Sequence, residues 1–175
     1  MCFSPDNLIL AVGLADCKIV LWDIDEKKKK KTISEGIGKE VGEISFSADG
    51  KLRACGSGEE NRVLIWEALS YEMVQKIEGK ETQVRCISFH PKKKKRLACG
   101  FADGFVKIMH SQTGKRLKSV SVGSPLLSLS FSPDGERRAT GSEDRFRRIW
   151  DLSGGESLIF EKITQQTNIV RYSPD

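Results

Sequence analysis

The stretch that decides the fold is FSPDGERRATGSEDRFRRIWD, Phe131 to Asp151. Ser132-Pro133-Asp134-Gly135 is a turn, since Pro presets φ and Gly accepts positive φ. It leads into a short strand at Arg137–Gly141. A second turn, Ser142-Glu143-Asp144, leads into a strand at Arg145–Trp150, and a third turn follows Asp151. Variants of this phrase occur four times. The aromatic ahead of the first turn falls at Phe3, Phe46, Phe89, Phe131 and Tyr172, at spacings of 43, 43, 42 and 41 residues. The large apolar residue closing the third strand falls at Trp22, Trp66, Met109 and Trp150. An acid sits six residues before each of these, at Asp16, Glu60, Asp103 and Asp144. Three independent anchors therefore keep one period.

A period of about 40–45 residues with four short strands per unit is that of a propeller blade. Runs such as Ile19-Val20-Leu21-Trp22 and Val63-Leu64-Ile65-Trp66 suit strands buried on both faces. Thr113-Gly114-Lys115 and Ser153-Gly154-Gly155 suit hairpins between third and fourth strands. No segment has helical periodicity. The phrases F-S-P-D-G, G-S-E-D and I-W-D resemble the WD40 (WD-repeat) family of β-propellers, and the resemblance covers essentially the whole chain. The expected fold is all-β, a β-propeller of four-stranded antiparallel blades. The expected blades are 3–36, 41–79, 84–121 and 126–163, with 168–172 an extra inner strand. The resemblance implies a non-catalytic scaffold that presents loops to partner proteins. It also marks Asp16, Asp103, Asp144, Trp22, Trp66 and Trp150 as structural residues.

The chain departs from the family pattern in several places. The family usually has a Gly-His pair before each inner strand, whose His joins the turn Asp, a strand Ser or Thr and the Trp. The corresponding pairs here are Gly36-Ile37, Gly79-Lys80 and Ser121-Val122. No blade has the whole set. Arg53 and Arg138 align with Leu10 and Leu97, and Arg147 aligns with Ile19, Val63 and Val106. An unpaired buried charge costs several kcal/mol. These side chains are expected either to reach the rim or to weaken the second and fourth blades.

Residues 1–7 read as a turn, so the first blade lacks an inner strand while Asn168–Tyr172 supplies one. Two arrangements follow. Four blades close on themselves, or the ring is completed by further sequence or by a second copy. The start MCFSPDNLIL already belongs to a blade, so no leader is expected ahead of it. No apolar run has the roughly 18–20 residues of a membrane span. Five cysteines without a C-x-x-C pair read as small core residues, Cys55 and Cys99 at equivalent positions. A reduced intracellular compartment is expected, cytoplasmic ahead of nuclear.

The net charge of +5 is local. Lys27, Lys28, Lys29, Lys30, Lys31 and Lys92, Lys93, Lys94, Lys95 hold nine lysines, and without them the chain carries −4. The first run is read as the connection between the third and fourth strands of blade one. The second is read as the connection between the first and second strands of blade three. Both connections emerge on one face of the disc. That face is the alternative reading, a module for nucleic acid or anionic lipid. No aromatic interleaves the lysines to stack on bases.

His90 and His110 are expected in surface loops. No nucleophile–base set, metal-ligand spacing or phosphate loop is present, and no cofactor is expected. The second-to-third-strand turns and blade-to-blade loops occupy the opposite face. There Glu59, Arg85, Glu143 and Asn168 are the candidate partner-binding residues for a protein or peptide.

Overall fold

The computed structural model describes residues 1–34, 36–38, 41–57, 60–78, 82–152, 157–159 and 169–173. The apolar runs form four antiparallel sheets of four strands each, and there is no helix among the described residues. The first sheet holds β1 (Cys2–Phe3), β2 (Ile9–Gly13), β3 (Ile19–Asp23) and β4 (Lys28–Ile33). The second holds β5 (Ile44–Phe46), β6 (Leu52–Ser57), β7 (Arg62–Glu67) and β8 (Met73–Glu78). The third holds β9 (Val84–Phe89), β10 (Arg96–Phe101), β11 (Phe105–His110) and β12 (Arg116–Ser121). The fourth holds β13 (Leu126–Phe131), β14 (Arg137–Ser142), β15 (Arg147–Asp151) and β16 (Ser157–Ile159). Each sheet is a simple meander from inner to outer strand.

Three apolar cores lie between consecutive sheets. Ala11, Ile19, Leu21 and Ile33 of the first sheet pack on Ile44, Phe46, Cys55 and Trp66 of the second. Ala54, Val63, Ile65 and Ile77 pack on Val84, Ile87, Phe89 and Met109. Ala98, Val106 and Ile108 pack on Leu126, Leu129, Phe131 and Trp150. Strand alternation explains the pattern. Side chains at even and odd positions leave opposite faces, so each sheet has a leading face toward the next sheet and a trailing face toward the one before. A glycine on β2, β6 and β10 lets the neighbour approach. A Cβ at Gly13 would lie 2.5 Å from Val41, one at Gly56 3.0 Å from Val84, and one at Gly100 3.1 Å from Leu126.

Four expectations change. The first sheet does have an inner strand, but it is a two-residue bridge pairing Cys2 with Ala11 and Phe3 with Leu10. The segment Ile169–Tyr172 joins no strand ladder. Four lysines of the first run lie in β4 rather than in a loop, and all are exposed. Lysine along an outer strand opposes edge-to-edge pairing. His90 is buried, at 3% exposure. It fills the turn slot of Ser4, Ser47 and Ser132, whose hydroxyls each accept an N–H five residues on at 2.9 Å. Its Nδ1 accepts the N–H groups of Lys92 and Lys93 at 3.1 Å instead. The hairpin Ser153-Gly154-Gly155 lies outside the described residues.

The aligned arginines divide. Arg53 and Arg138 are each only 2% exposed. Arg53 Nη2 donates to the carbonyls of Glu67 and Ala68 at 3.1 and 3.3 Å, and its guanidinium stacks 4.9 Å from the Tyr71 ring centre. Arg138 lies 5.6 Å from the Trp150 ring centre, but its Nε and Nη1 have no hydrogen-bond partner. Burial pushes both guanidinium groups down to about 10, so both stay charged at neutral pH. Arg147 is exposed, because no described sheet covers the leading face of the fourth sheet.

Two outcomes follow. Trp66, 2% exposed between the first two sheets, should cost about 3–5 kcal/mol on Trp66→Ala in urea unfolding. The solvent-facing Leu69 (89% exposed) should be near neutral on Leu69→Ala. Arg138→Leu should raise stability by about 1–3 kcal/mol, because it removes an uncompensated buried charge. Arg148→Leu, which removes the partner 2.7 Å from the Asp144 carboxylate, should lower it in the same assay.

Candidate interaction surface

Antiparallel order decides which loops share a face. The turns β2–β3, β6–β7, β10–β11 and β14–β15 emerge at one end of the sheets, with the connections that enter each inner strand. The turn acids organise this end. Asp103 Oδ1 accepts the Phe105 N–H at 3.0 Å, and Asp144 Oδ1 accepts the Phe146 N–H at 3.1 Å. The backbone N–H of Asp103 donates to Thr82 Oγ1 and that of Asp144 to Ser124 Oγ, both at 3.1 Å. Each turn is thereby tied to the connection entering its own sheet. Asp16 instead pairs with Lys18 at 2.7 Å in the open.

The fourth sheet shows how the chain manages without the family's histidine. Trp150 Nε1 donates to Thr140 Oγ1 at 2.9 Å in the core. Ser142 Oγ donates to Asp144 Oδ1 at 2.6 Å. Arg148 reaches both, with Nη1 to Ser142 at 3.0 Å and Nη2 to Asp144 Oδ2 at 2.7 Å. Burial pushes the Asp144 carboxyl up, but Arg148, Ser142 and the Phe146 N–H outweigh it and hold the group below its ordinary value. Trp66 and Trp150 are buried, whereas Trp22 is 42% exposed.

The inner strands communicate one period apart. Glu43 Oε2 accepts the Ile87 N–H and Ser45 Oγ the Phe89 N–H, both at 3.1 Å. Ser128 Oγ accepts the Val170 N–H at 3.0 Å and Ser130 Oγ the Tyr172 N–H at 3.3 Å. The segment Ile169–Tyr172 thus stands to β13 as β9 stands to β5. Arg171 also forms an ion pair with Glu43. Burial raises the Glu43 carboxyl, and Arg171 only partly offsets it.

Of the candidate partner-binding residues, Glu59 and Asn168 lie outside the described residues. Glu143, in the β14–β15 turn, and Arg85, near the start of β9, are both exposed. Both stand at the end of the sheets that carries the turn acids. Neither side chain has a hydrogen bond or ion pair among the described residues. At the opposite end the lysines meet local acids. Lys28 pairs with Glu26 at 3.0 Å, Lys30 with Asp23 at 3.2 Å and Lys94 with Asp49 at 3.6 Å.

A cleft of about 680 Å³ that sequence reasoning missed opens between the third and fourth sheets. His90, Lys93, Arg96, Lys118, Glu136 and Phe131 are among its lining residues. Only the substitution of His90 for serine hinted at it. All five cysteines are free thiols, and burial pushes Cys55 and Cys99 up to about 12. Among the described residues no group of three or more His, Cys, Asp or Glu could hold a metal ion. No helix among them is long and apolar enough to cross a membrane.

Asp144 gives the turn a pH signature. Its carboxyl is lowered in the folded state, so its contribution to stability is complete above an unfolded value of about 4. That contribution is lost as pH falls through the lower folded value. Asp144→Asn should therefore lower Tm at neutral pH and reduce the fall in Tm between about pH 5 and about pH 2.

Comparison with known proteins fits this architecture. The family model described as the anaphase-promoting complex subunit 4 WD40 domain matches residues 1–92 and 60–132, and that of the WD domain, G-beta repeat, matches 114–151. A WD repeat-containing protein, SL1-17 of Schistosoma mansoni, is 32% identical over 158 residues, covering 89% of this chain and 51% of that protein. The U3 small nucleolar RNA-associated protein 15 homolog of Xenopus tropicalis is 27% identical over 158 residues, covering 90% of this chain and 30% of that one. The solved structure of U3-55K superposes with a TM-score of 0.81 at 23% identity, covering 91% of this chain and 50% of that one. The chain spans about half or less of the length of the relatives it matches. On the repeat, the four sheets and these matches together, the chain belongs to the WD40-repeat family of β-propeller proteins.

Proposed function

We propose that this chain is a non-catalytic docking platform, holding loops on a stiff β frame so that a protein or peptide partner binds across several sheets at once. Proteins of the WD40 family generally act as interaction scaffolds. The observation that carries the reading here is the pair Arg85 and Glu143. Both are exposed on one end of adjacent sheets and free of ion pairs among the described residues, while the turns beneath them are fixed by hydrogen bonds. Charged groups held in place without a partner are available to one, and ordering costs on binding are small when the loop is already fixed. Glu59 and Asn168 belong to the same proposed surface by their place in the repeat.

The relatives direct the choice of assembly. A U3 small nucleolar RNA-associated protein and a pre-mRNA-splicing factor are among them. This supports a place in a nuclear assembly, in preference to the cytoplasmic location expected from the sequence. The alternative reading, polyanion capture by the lysine face, draws no comparable support, since Lys28, Lys30 and Lys94 already meet carboxylates.

The test is affinity capture from nuclear extract with chemical cross-linking, followed by titration of the captured protein. Arg85→Glu with Glu143→Lys should weaken that complex at least about tenfold without changing the melting curve. Changing both lysine runs to serine should leave it intact. Unchanged affinity in the first variant, or loss in the second, would overturn the reading.

A further inference from the structure

The cleft between the third and fourth sheets has walls of opposite charge. The third sheet supplies Lys93 in the β9–β10 turn, Arg96 at the start of β10 and Lys118 on β12. The fourth supplies Glu136 in the β13–β14 turn and Asp151 at the end of β15. All five are exposed. The side chains of Lys93, Arg96 and Glu136 have no hydrogen bond or ion pair among the described residues. The Lys118 ammonium has only a 3.5 Å contact with the Leu152 carbonyl among them. The other lysines at this end differ, since Lys28, Lys30 and Lys94 meet acids.

Between the walls the lining is apolar. Ile108 and Phe131 are buried and Leu152 is half-buried, while Leu117 is 45% exposed. Leu117 owes its place to a register shift. Ile108 pairs with Lys118 but Met109 pairs with Arg116, so Leu117 is the extra residue of a β-bulge. A bulge re-aims a side chain, and here the leucine lines the cleft. The same shift in the first two sheets makes Lys30 and Val74 the extra residues. His90 also lines the cleft. Its Nδ1 accepts two backbone N–H groups, which assigns the proton to Nε2, and Nε2 has no hydrogen-bond partner. A buried donor without an acceptor is costly, so the lining is unsatisfied as it stands.

We propose that this cleft binds a short peptide segment carrying an acidic, an apolar and a basic side chain close together. The acidic group meets Arg96 and Lys118 on the third-sheet wall. The apolar group packs on Leu117 and Phe131. The basic group meets Glu136 on the fourth-sheet wall. The cleft's volume of about 680 Å³ lies within the range of about 300–1,000 Å³ that takes a ligand of this size. An apolar anchor with charge around it is the arrangement of a binding hot spot, and opposite walls fix which way the segment lies. A nucleic-acid strand or an anionic lipid would also set negative charge against Glu136 and Asp151, and like-charge repulsion opposes that. A peptide carries both signs and the apolar group in neighbouring side chains. The site stands at the other end of the sheets from Arg85 and Glu143 and does not depend on the role given to them.

The experiment selects a displayed library of short random peptides on the purified chain, then titrates the most enriched sequence as a synthetic peptide by fluorescence anisotropy. Enriched sequences should share an acidic, an apolar and a basic residue. Arg96→Glu with Lys118→Glu should weaken binding at least about tenfold. Arg85→Glu with Glu143→Lys should leave it unchanged. Arg96→Glu with Glu136→Arg should reject the enriched peptide and accept the same peptide with its acidic and basic residues exchanged. A misfolded variant cannot show that gain, and melting curves check the fold of each. No enriched sequence, an enriched sequence without both charges, or unchanged affinity in the Arg96 and Lys118 variant overturns the proposal. So does failure of the exchanged peptide to bind the exchanged variant. Displacement of the peptide by phosphatidylserine vesicles or by a single-stranded RNA also overturns it, by assigning the cleft to a polyanion.

Discussion

A β-sheet that is apolar on both faces has to be covered on both faces. That constraint organises this molecule. None of the first three sheets is sufficient alone, because the strands that carry Ile19, Val63 and Val106 on one side carry Trp22, Trp66 and Met109 on the other. Stacking sheets about a common axis satisfies both faces of every interior sheet. Glycines on the second strands leave room for the side chains of Val41, Val84 and Leu126 from the following repeat. The same constraint explains why burial differs so sharply between residues of the same type. Trp66 and Trp22 hold equivalent places, and only the first has a sheet in front of it.

The charged exceptions in the core are tolerated by different means. Arg53 borrows two carbonyls and an aromatic ring. Arg138 has the ring alone. Arg148 is the best satisfied. It bridges a serine and an aspartate in the same turn, supplying the donor that other members of the family take from histidine. A guanidinium can do so because its planar fork reaches a hydroxyl and a carboxylate together. His90 shows the reverse exchange. An imidazole does a serine's work in the turn, accepting two backbone N–H groups with one nitrogen. Turn chemistry here is conserved in function across the repeats rather than in residue type.

Much of this was legible in the chain. The shared period of about 42 residues in the aromatic, the acid and the large apolar residue set the number of sheets, because each anchor serves one necessary part: a strand end, a turn, a core contact. The features that escaped depend on neighbours. The lysine run looks like a loop because lysine is a poor core residue, yet an outermost strand has one side open to water and accepts it. His90 looks like a surface residue until the Phe131 ring, 5.0 Å away, covers it from the next sheet. Arg147 looks misplaced in a core that, at that face, is not there. The cleft beside His90 is formed by two sheets and has no signature in either.

The sequence by itself determined the repeat, the strand order within each unit and the residues of each turn. These are set by contacts between residues a few positions apart and by the two-residue alternation of a strand. Only the tertiary structure decided which aromatic is buried, which arginine finds a partner, and which face is left open. Those outcomes depend on what stands one full repeat away, where the spacing of residues along the chain carries no information about exposure.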